Sequence, residues 1–345
     1  MSELTATESA ASFRRVRYKT LFLGALVAAS ALPLTLCVIK FQITSAQIYL
    51  ATLLFSAVTI MNNSHTWITL AYFFDRTWLA RFAERPMTFF AAPAAIVAGT
   101  VGAMLFSTVP VAIALILAGL FAATWHHAKQ NWGIMSIVGK IRGQNVSALR
   151  LPLTNGWIFF AFAWSIPLSY HADIVSPALL YKVSMGLLAA YAIYCGWILK
   201  TSGLSFAKDP VTLAYAILLL GYFVPVVVFQ GQPYALIVFG FAHSLQYYIL
   251  VLASLSMRKR RSSDPTKIMF GIAVFATLVV GLTVAGYFVI ALITDNAAVM
   301  WDSYVVRAAI GINLAVSLVH FWIDAFIWKM SDKGMREAHG DALVF

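Results

Sequence analysis

The sequence predicts an all-α protein, a polytopic membrane helical bundle of about ten transmembrane helices with both termini in the cytoplasm. Three observations carry that prediction. Of 345 residues, 61% are hydrophobic and only 11% charged, whereas a soluble domain carries about a quarter charged residues. The apolar residues gather in ten stretches, most of them near the ~20 residues that cross ~30 Å of hydrocarbon. Basic residues cluster after every second stretch and are nearly missing after the others.

The stretches cover 20–39, 46–74, 87–107, 109–136, 155–170, 177–199, 211–229, 234–256, 268–293 and 304–328. The fifth is short and the second long, so tilt or kinking is expected. The first is expected to be a retained span and not a cleaved signal peptide, because it is long, follows nineteen residues and precedes no small-residue cleavage pattern. Residues 1–19 then form an N-terminal cytoplasmic tail, 20–330 a single transmembrane domain and 331–345 a C-terminal cytoplasmic tail. Cys37 and Cys195 lie in apolar runs and form neither a ligand spacing nor a disulfide framework.

Orientation follows from the charges. Arg14, Arg15, Arg17 and Lys19 precede the first stretch, and Arg76, Arg81 and Arg85 follow the second. Lys140, Arg142 and Arg150 follow the fourth, Lys200 and Lys208 the sixth, Arg258 to Arg261 and Lys267 the eighth, and Lys329, Lys333 and Arg336 the tenth. The alternate loops hold Lys40 alone, then nothing basic in 170–176 or 230–233, then only Asp295 and Asp302. Positive charge stays on the cytoplasmic side, which fixes an even number of spans. The net charge of +11 is thus a topology signal with an added attraction to anionic membrane lipids, and it excludes nucleic acid as a partner. The expected location is a membrane of the bacterial inner-membrane type.

Five of the seven histidines fall inside these stretches: His65 on the second, His126 and His127 on the fourth, His243 on the eighth and His320 on the tenth. His171 and His339 fall in a loop and in the tail. His65 precedes Asp75 by ten residues, His127 precedes Lys140 by thirteen, His243 precedes Arg258 by fifteen and His320 precedes Lys329 by nine. At the helical rise these counts place the rings roughly 13–22 Å inside the basic boundary. Four even-numbered helices therefore deliver imidazoles to one layer.

Polar residues accompany them. Asn62 lies close before His65 in MNNSHTW; Lys129, Gln130 and Asn131 follow His126 and His127 in TWHHAKQNWG; Gln246 and Tyr247 follow His243 in FAHSLQYY at i+3 and i+4; and Asp324 follows His320 at i+4. Polar groups in hydrocarbon face the bundle interior or a water-filled cavity and mark functional sites by default. The bland alternatives are concrete. A single histidine more often hydrogen-bonds a neighbouring helix, Lys129 can snorkel to the boundary, and Trp125, Trp132, Trp322 and Trp328 suit interface anchoring or core packing. Adjacent His126 and His127 diverge by about 100° around a helix, so both cannot point the same way.

Imidazole suits iron, copper, zinc, nickel and haem iron. Two haem b groups would use four histidines, but usually at two depths, whereas these share one. Four or five imidazoles beside a carboxylate fit a compact non-haem Fe2+ centre better, with Asp324 as a ligand or as an acceptor for His320. No HxxHH box of the desaturase type is present, and no P-loop, GxSxG or CxxC.

Three stretches together resemble the Brp/Blh family of membrane β-carotene 15,15′-dioxygenases. FGFAHSLQYY is similar to the family's His-Ser helix at His243 and Ser244. VHFWIDAFIWK is similar to its last helix at His320 and Asp324. SHTWIT and WHHAKQ occupy the places of two earlier histidine motifs, at His65 and at His126 or His127. The second histidine of the His-Ser motif is Tyr247 in this chain, and the earlier aspartates are replaced by Thr69 and by Gln130 or Asn131. The resemblance implies iron held by intramembrane histidines, O2 as co-substrate and cleavage of a carotenoid or another lipophilic substrate.

On that basis the metal ligands are expected among His65, His126, His127, His243 and His320. Tyr247, Gln130, Gln246, Asn62, Lys129 and Asp324 are expected to assist or orient them. The competing expectation is a haem-binding or proton-coupled membrane carrier that uses the same histidines, with Asp324 in a relay and Lys129, Lys182 and Arg307 along the path.

Overall fold

The computed structural model describes residues 20–31, 35, 65–66, 68–74, 76–156, 177–205, 207–228, 240–251, 304–329 and 332–335. Among these residues every regular element is helical and none is a strand. Four helices among them are long and apolar enough to cross a membrane: Met87–Phe106, Val109–Arg142, Tyr181–Thr201 and Arg307–Ile327. They coincide with the third, fourth, sixth and tenth apolar stretches. The ninth stretch, most of the second and fifth, the end of the first, and Asn62, His171 and His339 lie outside the described residues.

The chain divides into two compact units. The first is built from Met1–Gln47 and Ala128–Ala253, the second from Ile48–His127 and Ser254–Val344.

In the second unit, residues 65, 66 and 68 are helical and pass into a 3-10 turn, Thr69–Phe74. Helix α2, Arg76–Ala83, follows and buries Trp78 and Phe82. A π-helical turn at Met87–Ala91 then leads into α3, Ala92–Phe106. The widened turn has a cause: Pro93 has no N–H for the Phe89 carbonyl, and the Ala92 amide reaches back to Met87 instead. Helix α4, Val109–Arg142, begins after an extended Ser107 and runs six residues beyond the apolar stretch, so that Lys140 and Arg142 form its last turn.

The last helix of this unit packs mainly on α3. It is labelled α10, Tyr304–Ile327, after the helices of the first unit. Glycine makes the close approach possible. A Cβ on Gly311 would lie 3.0 Å from Met104 Cβ and 3.3 Å from Val101 Cα, and one on Gly119 of α4 would collide with Leu314. Small residues at such crossings are how membrane helices gain packing without a hydrophobic driving force. Arg307 closes the far end of α3 by donating from Nε to the Met104 carbonyl at 2.6 Å and from Nη2 to the Ser107 carbonyl. At the other end Arg85 pairs with Asp332 at 2.7 Å.

The first unit contains α1, Thr20–Ala31, and the part of α4 from Ala128 onward. It continues with α5, Arg150–Asn155; α6, Pro177–Thr201; α7, Pro210–Leu220; α8, Val224–Val228; and α9, residues 240–251. The seventh apolar stretch is therefore not one helix. It breaks at a turn over 221–223, because Pro225 cannot donate to the Gly221 carbonyl and the helix restarts with its proline near the N-terminus. Asp209 caps α7 through the Thr212 amide and hydroxyl, at 3.3 and 2.7 Å. Its two carboxylate oxygens also accept a fork of hydrogen bonds from Arg142 at 3.0 and 3.1 Å. Burial pushes the Asp209 carboxyl up. The hydrogen bonds from Arg142 and Thr212 outweigh it, and the group is held below the ordinary carboxylate value.

Candidate metal centre

Four polar side chains meet inside the second unit. His320 and Asp324 come from one face of α10, as i and i+4 must. His126 comes from α4, and His65 from the helical residues before the Thr69–Phe74 turn. The rings of His65 and His320 meet edge to face with centroids 4.9 Å apart, and those of His126 and His320 at the same separation. Asp324 bridges two of them: Oδ2 lies 3.7 Å from His126 Nε2, and Oδ1 lies 3.7 Å from His320 Nδ1. Thr69 completes the cluster, its Oγ1 2.6 Å from His320 Nδ1. All five residues are buried.

The distances test the fit to a metal ion. A separation of 3.7 Å is too long for a hydrogen bond. Between His126 Nε2 and Asp324 Oδ2 it suits two atoms that each lie about 2.1 Å from a common ion, which places them roughly 3–4 Å apart; His320 Nδ1 is engaged by Thr69, so that ring would offer Nε2. Donor atoms of His126, His320 and Asp324 all lie within 4.8 Å of one another. Two imidazoles and one carboxylate form the donor set that suits iron with open positions for other ligands. The set fits.

Phe321 covers the cluster on one side. Its ring stacks on His126 with centroids 4.6 Å apart and planes inclined by 27°, and it lies 5.5 Å from the His320 ring.

Of the adjacent pair, His126 is the residue within reach of Asp324 and His320. His127 is also buried, with its ring centroid 5.9 Å from that of His126. Burial therefore does not separate the two; only the direction of each side chain does.

Apart from Asn62, which lies outside the described residues, the remaining expected residues belong to the first unit. His243, Gln246 and Tyr247 on α9 are fully buried. Gln130 donates to the His243 carbonyl at 3.3 Å and to Gln246 Oε1 at 3.1 Å, and Gln246 donates to Ser30 Oγ of α1 at 2.9 Å. Gln130 thus holds the α9 backbone and not the imidazole ring. Lys129 is exposed, in keeping with the snorkelling alternative.

Thr69, Phe321 and Ser30 were not singled out from sequence. Thr69 carried a usable signal: it follows His65 by four residues and replaces an aspartate of the resembled motif. Phe321 and Ser30 carried none, since an apolar neighbour and a single serine are ordinary in a membrane span. Comparison of the chain with family models, with curated proteins and with solved structures gives no match.

Proposed function

We propose that this chain is an integral membrane non-haem iron oxygenase of ten spans, with both termini cytoplasmic, acting with O2 on a lipophilic substrate such as a carotenoid, another isoprenoid or another lipid. The observation that carries the proposal is the convergence of His126, His320 and Asp324, three buried donors within 4.8 Å of one another. Buried charge in a membrane helix is expensive, and a cation shared with two imidazoles gives Asp324 a reason to be there.

The iron(II) ion these residues would hold supplies activation of O2 for attack on an apolar carbon framework. The rest is the work of the chain. Asp324 offsets positive charge between two imidazoles. Thr69 fixes the orientation of the His320 ring through Nδ1. Phe321 shields the His126 ring from its surroundings, and hydrocarbon-facing helices let a membrane-dissolved substrate approach sideways.

The contact between His126 and His320 favours a compact metal over haem b at this pair. Two axial ligands straddle a porphyrin plane, and rings with centroids 4.9 Å apart leave no room for it. A proton-coupled carrier remains the second reading, because Asp324 between two histidines is also a relay geometry. Elemental analysis and absorbance of the purified protein separate the readings. Stoichiometric iron without a Soret band is expected; a Soret band would replace iron with haem, and metal-free protein would shift the function to the carrier.

A further inference from the structure

Beside the histidines, the second unit carries a concave apolar surface that the metal site does not use. A pocket of about 480 Å³ opens among α3, α4 and α10, a volume within the ~300–1,000 Å³ typical of ligand sites. Its lining joins small residues from three helices, Gly99 of α3, Ala122 of α4 and Ala325 of α10, to the rings of Trp125, Phe321 and Trp322. No charged residue lines it. The Trp322 indole N–H already donates to the Thr88 carbonyl at 2.8 Å, so that wall presents ring surface and not a donor.

Within a membrane the competing solvent is itself hydrocarbon, so an apolar surface alone selects nothing. Selection must come from shape. A trough lined from three helices, with small residues beside large rings, meets a chain from three elements at once, and each close pair of atoms contributes dispersion that bulk lipid packs less densely. The trough also leads somewhere. Phe321 is at once a wall of the groove and the ring stacked on His126.

We propose that this groove is a lateral binding site for an apolar hydrocarbon chain of a membrane-dissolved substrate, with Phe321 as the specificity-determining ring that divides it from the His126 imidazole. That the occupant is a substrate rests on the oxygenase reading; that a chain is seated there does not. Gly99 offers the cleanest handle. A Cβ built on it meets nothing within 4 Å, so a side chain has open space to grow from there and Gly99→Leu narrows the trough.

The test uses the full chain in lipid nanodiscs and a diazirine-bearing hexadecane, with labelled positions mapped by mass spectrometry. Labelling is expected to concentrate on Trp125, Phe321 and Trp322, to disappear with excess plain hexadecane, and to fall several-fold in Gly99→Leu. Phe321→Ala is expected to carry label onto His126; Phe321→Leu gives the same readout if the alanine variant does not fold. Label spread evenly over exposed apolar residues such as Ile193 of α6, indifferent to hexadecane and to Gly99→Leu, would overturn the groove. Label confined to the groove but never reaching His126 in folded Phe321 variants would overturn the dividing ring. Iron measured on the same samples keeps the two proposals apart. Groove-specific label on iron-free protein would sink the oxygenase alone, and uniform label on iron-loaded protein would sink the groove alone.

Discussion

The Thr69 hydroxyl lies 2.6 Å from His320 Nδ1, joining residues 251 positions apart in the chain. A hydroxyl can donate or accept, so it holds the ring in either tautomer. Partners of this kind typically contribute about 10–100-fold to metal affinity. Thr69→Val keeps the shape and removes the hydrogen bond. We expect iron affinity to fall by about that factor in Thr69→Val and to be retained in Thr69→Ser, as measured by chelator competition. Equal affinities in the two variants would reduce the contact to packing.

His320→Ala should abolish bound iron, whereas Asp324→Asn should fold and bind iron more weakly. The asparagine keeps an oxygen donor but loses the negative charge that would offset a bound cation. His171→Ala and His339→Ala should leave iron content unchanged, since both residues belong to segments beyond the predicted spans. Metal per chain in purified protein decides all four, and full iron in a folded His320→Ala protein would remove His320 from the centre.

Reporters fused after Arg85, Arg150, Lys208 and Arg261 should all read cytoplasmic. One clear outside signal among these positions would break the alternation of basic loops on which the ten-span topology depends.

Asp209 makes acid sensitivity predictable. Its carboxyl is held below the ordinary value by Arg142 and Thr212 against the opposing effect of burial. A depressed folded value stabilises the protein above the unfolded value of about 4, and that contribution is lost as pH falls through the lower, folded value. Asp209→Ala should lower stability by about 1–2 kcal/mol near neutral pH, chiefly through the lost helix cap. The gap between wild type and variant should close below about pH 4. Thermal unfolding across that range measures it, and a gap independent of pH would mean the carboxylate charge contributes nothing.

Length and hydropathy were enough to place α3, α4, α6 and α10, because a helix that faces hydrocarbon must be apolar along its whole length. They could not place the interruptions. Pro93 is absorbed by one widened turn, whereas Pro225 ends a helix, and the difference depends on what the neighbouring backbone does with the unserved carbonyl. Counting residues to the basic boundary predicted one layer for His65, His126 and His127, His243 and His320, and in the second unit His65, His126 and His320 do meet. Direction around the helix was not legible for His126 and His127, which are adjacent and equally buried. Thr69 shows the remaining limit: a threonine in a span usually bonds its own helix, and only the packed structure turns it to a histidine 251 residues away.

Arg307 has a consequence for biogenesis. It is a positive charge in the first turn of α10, at the end predicted to lie away from the basic clusters, and its guanidinium donates to the carbonyls of Met104 and Ser107 at the end of α3. Those acceptors are synthesised about two hundred residues earlier. The charge on α10 is thus matched by backbone made long before it, and the order of synthesis itself lets Arg307 find its acceptors as soon as it is made.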